Sequence, residues 1–230
     1  QATQNTSVSE TNLDETTLTV PVVTIAGQQT LSVQALSRGR GTEQLVLRDL
    51  VAAYNTELDA QVIGGSGSTG FHRGILNVSG IESVTYTDST PTAVELYPKL
   101  FDLIQKIQTG YFAGISHFLM HPRRWNWLAA ATSTTSPFLQ INTNPQGAAG
   151  QFGSPAYGTV VGNIAGVPVI TDANIATTTA TNQDTIYGVT ASELHLWEDA
   201  GAPLFVRVDQ ASTLGVTIAA FGFTAFTAGR

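Results

Sequence analysis

Residues 43–76 read EQLVLRDLVAAYNTELDAQVIGGSGSTGFHRGIL, and the order of elements within them decides the fold. Leu47, Leu50, Val51, Tyr54, Leu58 and Val62 recur at steps of three and four, which places them on one apolar helical face. Arg48, Asn55, Glu57 and Asp59 fall mostly on other faces. Ser37-Arg38-Gly39-Arg40-Gly41 breaks the chain before this helix, and Thr42 is placed to cap it. The helix is expected to run about 20 residues, or ~30 Å, and to stop at Gly64-Gly65.

The glycines beyond it, Gly65-x-Gly67-x-x-Gly70, have the spacing of a dinucleotide fingerprint. That site needs a strand before the glycines and a helix after them, so that a helix N-terminus meets the pyrophosphate. Here the helix comes first. Its C-terminus carries partial negative charge and repels phosphate, and Phe71-His72-Arg73-Gly74 is a poor helix start. The glycines therefore read as a stop and a tight turn.

Composition narrows the function. The 230 residues are enough for one domain or two small ones. Apolar residues make up 42%, yet no uninterrupted apolar run approaches the ~18 residues of a membrane span. No basic and apolar leader opens the chain, so no secretory signal is expected. Cysteine is absent, which excludes disulfides, thiolate ligands and a cysteine nucleophile, and fits a reducing compartment. Charged residues are only 12%, about half the usual share. Thr, Ser, Ala, Gly and Gln replace them, which suggests a surface covered by copies of the same chain. A net charge of −7 and only two lysines, Lys99 and Lys106, exclude a basic stripe for nucleic acid.

Outward from the helix, residues 1–12 are polar and aperiodic and read as a loop. Residues 13–33 are rich in Thr, Val and Ile and read as extended strand, broken at Pro21 and turned near Gly27. No partner strand precedes them, so an arm that pairs with neighbouring molecules is expected. Residues 81–90 read as strand and turn. A second helix is marked by Leu96, Leu100, Leu103, Ile104 and Ile107. Thr92 and Glu95 have capping-box spacing, while Pro98 predicts a kink or a start at that point. Ile115–Met120 reads as a short strand, and Pro122 as the first residue of a short helix holding Trp125, Trp127 and Leu128. Residues 132–162 read as a long loop or β-excursion of the kind that serves function or interfaces. Strands are expected within 164–170, 185–189, 194–197, 204–208 and 216–226. In the last, Val216, Ile218 and Ala220, then Phe221, Phe223 and Phe226, carry the apolar alternation. The class is α+β, without internal repeats.

No catalytic, cofactor or metal constellation emerges. His117 and His121 straddle a strand and do not share a helical face as a zinc pair would. His72 and His195 stand alone, and satisfied structural histidines are the expectation. There is no Gly-x-Ser-x-Gly elbow. The pairs Asp14/Glu15 and Glu198/Asp199 lie in loop-like contexts suited to solvent or inter-subunit contacts. Arg123-Arg124 beside Trp125 is suited to gripping a phosphate or a neighbour's carboxylate. Arg38, Arg40, Arg123, Arg124, Asp14 and Glu15 are the candidate inter-subunit contacts. Asn5-Thr6-Ser7 and Asn77-Val78-Ser79 are chance glycosylation sequons.

The order of elements resembles the major capsid proteins of tailed bacteriophages, the Hong Kong 97-type fold. Residues 19–39 (TVPVVTIAGQQTLSVQALSRG) are similar to the descending strand of the extended E-loop. Residues 43–70 are similar to the P-domain spine helix with its glycine-rich end, followed by the family's Gly-Ile-Leu at 74–76. The helix at 98–109, the strand at 115–120 and HPRRW at 121–125 resemble the A-domain, as does IAGVPV at 164–169. Residues 195–230 resemble P-domain strands that run back beside the spine. The divisions implied are 1–37 partial E-loop, 38–80 spine helix and turn, 81–194 A-domain, and 195–230 P-domain strands.

The resemblance implies a structural protein, not an enzyme, that forms pentamers and hexamers of an icosahedral head around double-stranded DNA. No sequence-specific DNA binding, cofactor or membrane is implied. The A-domain would face the capsomer axis, and the E-loop would lap over a neighbour. Portal, scaffolding and decoration or cement proteins are the implied partners, and the virion, assembled in the bacterial host cytoplasm, is the implied location. Packed on residues 195–230, the apolar face of the long helix would hold the spine in place. The family's N-arm, ascending E-loop strand and last A-domain strand have no counterpart in the 230 residues, which implies a processed or partly ordered protein. Residues 1–37 contain no lysine, so no covalent cross-link is expected from that segment. Two alternatives stand beside this one. The first is an encapsulin-like nanocompartment shell, and the second a small β-rich hydrolase or carbohydrate-binding domain.

Overall fold

The computed structural model describes residues 17–39, 41–133, 136–137, 160–179 and 183–229. The expected N-terminal loop, Asp14, Glu15, Arg40 and most of the 132–162 excursion lie outside the described residues. Two sheets organise the rest. The first is built on β10 (Gly215–Ala228), rich in Ala, Phe and Thr, with β1 (Val23–Ser32) antiparallel along one edge. Along its other edge lie β9 (Leu204–Gln210) and then β8 (Leu194–Glu198), end to end. A short helix, α1 (Val33–Arg38), leads from β1 to the long helix α2 (Thr42–Gly64).

One face of this sheet is covered by α2. Val46 and Leu50 pack on Val216, Ile218 and Ala220, and Tyr54 and Leu58 pack on Ile25. The even-numbered residues of β10 point inward throughout its length. Two of them are unusual for a core. Gly222 leaves room for the ring of Tyr54, because a Cβ there would sit 2.3 Å from the phenol oxygen. Thr224 accepts or donates a 2.7 Å hydrogen bond with Nε2 of His72, which is buried.

The end of α2 is closed by its own sequel. The Gly65 N–H donates to the Gln61 carbonyl, and the side-chain amide of Asn77 donates to the Gly64 and Gly65 carbonyls. These bonds satisfy carbonyls that a helix terminus otherwise leaves bare. Gly67 and Gly70 adopt positive φ (71° and 88°), the conformation that costs a residue with a Cβ most. A bridge between Ser66 and Arg73 folds the turn back on itself.

The second sheet runs β5 (Val160–Ile164), β6 (Val167–Thr171), β2 (His117–Met120) and β7 (Tyr187–Val189), with β6 and β2 parallel. Phe118, Met120, Leu128, Ile164 and Val169 are fully buried there. Helices α3 (Ala93–Tyr111) and α4 (Pro122–Ala130) supply Leu96, Leu100 and Leu128 to that core. Thr92 caps α3 by accepting from the Glu95 N–H, and His121 caps α4 by accepting from the Arg123 N–H through Nδ1. Ala165-Gly166, both at positive φ, turn β5 into β6. β3 (Thr132–Ser133) pairs antiparallel with β4 (Ser136–Pro137).

Several expectations from sequence need correction. β1 runs straight through Gly27, and it pairs with β10 of its own chain over ten residues instead of waiting for a neighbour. That partner lies nearly two hundred positions downstream, too distant for any local pattern to reveal. Thr42 does not cap α2: Gly41 holds the cap position without a side-chain bond, and Thr42 is the first helical residue. α3 begins at Ala93 and passes through Pro98, which lies in its early turns. Residues 81–90 form no strand despite their Thr and Val content. Side chains of α3 hold the segment instead: Lys106 Nζ donates to the Ser83 carbonyl (2.7 Å), and the Tyr111 hydroxyl donates to that of Gly80. Phe221 and Phe223 do not join the buried row, since inward alternation continues through Gly222 and Thr224.

Candidate assembly surface

Of the helix residues singled out by periodicity, Leu50, Tyr54 and Leu58 are buried, whereas Leu47, Val51 and Val62 are half-buried. Val46, Gln61 and Ile63 complete the buried set and were not legible as a face. The stripe is thus 46-50-54-58, a step of four throughout. Near the helix end, burial and the neighbouring charge of Asp172 raise the Asp59 carboxyl above its ordinary range. The Tyr54 hydroxyl donates a 2.7 Å hydrogen bond to Glu198 of β8. Burial first, and then that carboxylate, push the phenol well above the usual tyrosine range. Burial also lowers the His72 imidazole below its ordinary value.

The opposite face of the β10 sheet carries exposed apolar side chains, although Thr217 on that side is buried and bonds Thr30 and Gln210. The registers place Leu204, Val206 and Val208 of β9, Phe221 and Phe223 of β10 and Trp197 of β8 on that side. All but the half-exposed Phe221 are exposed, Trp197 by 53%. Phe221 and Phe223 stack edge to face at 5.8 Å, and His195 stacks on Trp197. A contiguous apolar surface of this kind marks an interaction site. β9 is also an edge strand exposed at every position. Its two charges, Arg207 and Asp209, lie on the side of α2, where Arg207 pairs with Glu43 at 3.2 Å and with Asp209 at 3.3 Å. No charge guards its outer side, so both the edge and the outer face are open to association.

Of the charged candidates, Arg38 is exposed at the end of α1. Arg124 is not free to reach a neighbour. It is bound within the chain to Asp184, a carboxylate only 1% exposed, and it stacks over Trp127 at 4.9 Å. Arg123 approaches the same carboxylate at 3.6 Å. Asp184 lies far along the chain beside an undescribed segment, and nothing local in the sequence points to it.

A cleft of about 750 Å³ lies between residues 75–91 and α3, with Leu100, Leu103, Ile107 and Tyr187 among its walls and no histidine. Among the described residues no three His, Cys, Asp or Glu side chains gather as a metal site. His117 bonds Ser116 at 3.0 Å, and His121 is a helix cap. No helix among the described residues is long and apolar enough to cross a membrane.

Comparison with known proteins supplies the family. The phage capsid family matches residues 1–214. The chain belongs to the phage capsid family. Its fold is the Hong Kong 97-type capsid fold, and the family is structural, not enzymatic. Solved structures share that fold at low identity. The chain matches a structure from Gordonia phage Cozz with 13% identity and a TM-score of 0.61, over 99% of this chain and 76% of the other. The capsid of a native GTA particle gives 15% identity, a TM-score of 0.64, and coverage of 99% and 76%. The holo-SrpI encapsulin complex of Synechococcus elongatus gives 12% identity, a TM-score of 0.58, and coverage of 91% and 70%. No curated protein sequence matches the chain. This capsid protein therefore builds a shell from copies of itself, and the third reading, a hydrolase or carbohydrate-binding domain, falls away.

Proposed function

We propose that the chain is the major capsid protein of a tailed phage, assembling into pentamers and hexamers of an icosahedral head that encloses double-stranded DNA. The observation that carries this is the exposed apolar face of the β10 sheet together with the unguarded β9 edge, on a chain of the phage capsid family. A monomer would leave Trp197, Phe223 and Val206 in water, and packing against neighbouring copies removes that cost. In this reading α2 is the spine helix, and the sheet of β1, β8, β9 and β10 forms the P-domain with it. The sheet of β2, β5, β6 and β7 with α3 and α4 is the A-domain at the capsomer axis. The segment ahead of β1 belongs to an E-loop that laps over a neighbour, while β1 itself, assigned to that loop from the sequence, joins the P-domain sheet. Head assembly takes place in the host cytoplasm, with portal, scaffolding and decoration proteins as partners.

The low charge of the chain supports contact with DNA through enclosure, without base recognition. The likeness to an encapsulin supports a second reading, a nanocompartment around protein cargo. Electron microscopy of purified particles, paired with nuclease treatment, separates the two. Shells holding nuclease-protected double-stranded DNA support the phage head, and shells holding only protein support the nanocompartment.

A further inference from the structure

Phe112 closes α3 in a conformation that disfavours it. Its φ is 53°, in the left-handed region, and it occupies the C-cap position. Glycine normally fills such sites because a Cβ there crowds the following carbonyl. Glycines occur nearby at 110 and 114, but not at this position. The strain is not offset by packing, since the phenyl ring is 93% exposed. A bulky aromatic held in a costly backbone conformation and directed into solvent contributes nothing to the isolated subunit.

A complementary feature lies at the other end of the same helix. Around the start of α3, Pro91, Ala93 and Val94 form a shallow recess of about 450 Å³ with Trp127, Ala130 and Ala131 of α4 and its end. No charged residue among the described ones lines it, and Val94 is 58% exposed. The recess therefore suits an uncharged aromatic ring. Ring and recess are separated by the 19 residues of α3, roughly 28 Å along a helix. A contact between two different patches at opposite ends of one rod is head-to-tail, and such contacts close into rings when the rotation permits.

We infer that Phe112 of one copy anchors in the Pro91–Val94/Trp127 recess of the next, so that α3 and α4 carry a head-to-tail contact around each ring of the shell. This rests on the capsid reading proposed above. The partner is a second copy of this chain. Buried aromatics at the centre of a small contact are the usual energetic anchors of an interface, and the cost of the strained backbone is recovered there.

Two variants test it. Phe112→Gly relieves the left-handed strain, so the unassembled subunit should melt about 2–4 °C higher, while its assembly weakens at least about tenfold. That opposition is specific to an anchor. Unchanged assembly in Phe112→Gly would overturn the inference, as would lost assembly accompanied by a lowered melting temperature, which marks a merely structural side chain. The second variant exploits the cysteine-free sequence. In Gly114→Cys/Val94→Cys shells, which keep the Phe112 ring and place a thiol beside it where a Cβ meets open space, a short bismaleimide should give a ladder ending at five or six subunits. Normal shells without that cross-link would also overturn it. The wild type, run in parallel, keeps the two ideas apart: if it forms shells, the capsid reading stands whatever the variants do, and if it never assembles, both fall.

Discussion

Tyr54, halfway along α2, donates a 2.7 Å hydrogen bond to Glu198 on β8, and its ring passes directly over the backbone of Gly222 to do so. Helix and sheet are thereby keyed to one another at a single longitudinal position. A methyl at 222 would meet the phenol oxygen at 2.3 Å and ring carbons at 2.8 and 2.9 Å. Gly222→Ala is therefore expected to destabilise the subunit by about 1–3 kcal/mol, as overpacked cores do. Tyr54→Phe keeps the ring and loses only the hydrogen bond, for about 0.5–1.5 kcal/mol. Denaturant midpoints should rank the two in that order, and the double variant Gly222→Ala/Tyr54→Leu should recover part of the loss.

The long helix and its glycine turn divide into parts that matter and parts that do not. Leu58 is buried against Ile25 and Tyr54, so Leu58→Asp places an unpaired charge in the core. It should abolish assembly by unseating α2 from its sheet. Gly74→Ala should also fold poorly, because its Cβ would lie 2.5 Å from the Gly65 nitrogen and 2.8 Å from the Gln61 carbonyl oxygen. Ser66→Ala removes only exposed bonds to the hydroxyl and backbone N–H of Ser68 and should change stability by less than about 0.5 kcal/mol. Particle yield on a sizing column reads all three.

Asp184 should show an asymmetry between its two arginines. Arg124 is only 20% exposed and makes the close contact, whereas Arg123 is 42% exposed and stands at 3.6 Å. Arg124→Ala leaves a buried carboxylate poorly compensated and should cost about 3–5 kcal/mol. Arg123→Ala should cost about 0–1 kcal/mol. Equal losses in thermal or denaturant unfolding would contradict this ranking.

His72 gives the subunit a pH dependence of definite sign. Burial lowers its folded-state value below the ordinary 6.5, so the neutral ring is the form the fold accepts. Nδ1 has no hydrogen-bond partner among the described residues, and Nε2 meets Thr224. Because the unfolded chain binds the proton more readily, the contribution of His72 is complete above pH 6.5 and is lost as pH falls from there toward the lowered value. His72→Gln should unfold with a flatter dependence between pH 7.5 and 5. An unchanged slope would assign the acid sensitivity to carboxylates.

Much of this architecture was legible because it depends on local chemistry. The period of residues 47–62, the Gly64-Gly65 stop and Pro122 at a helix start all act within a few residues. What escaped depends on contacts made at a distance. β1 finds β10 and Thr224 finds His72 across more than a hundred positions, and Asp184 finds Arg124 across 60. The phenylalanines of β10 misled for a related reason. Apolarity suggested that Phe221 and Phe223 were core, but the space inside is already taken by Tyr54 and His72. The aromatics therefore turn outward, onto the very surface assigned to assembly. Residues 81–90 have strand composition but lie against a helix whose Lys106 claims the Ser83 carbonyl and whose Tyr111 holds that of the preceding Gly80.

The central claim is that this subunit is built to be covered by copies of itself, and a mass measurement of the purified wild-type chain across concentration tests it most directly. Mass photometry or sedimentation velocity should show closed particles of many subunits, with five- and six-fold rings as the smaller species. A monodisperse 24.2 kDa monomer persisting at high concentration would contradict the account.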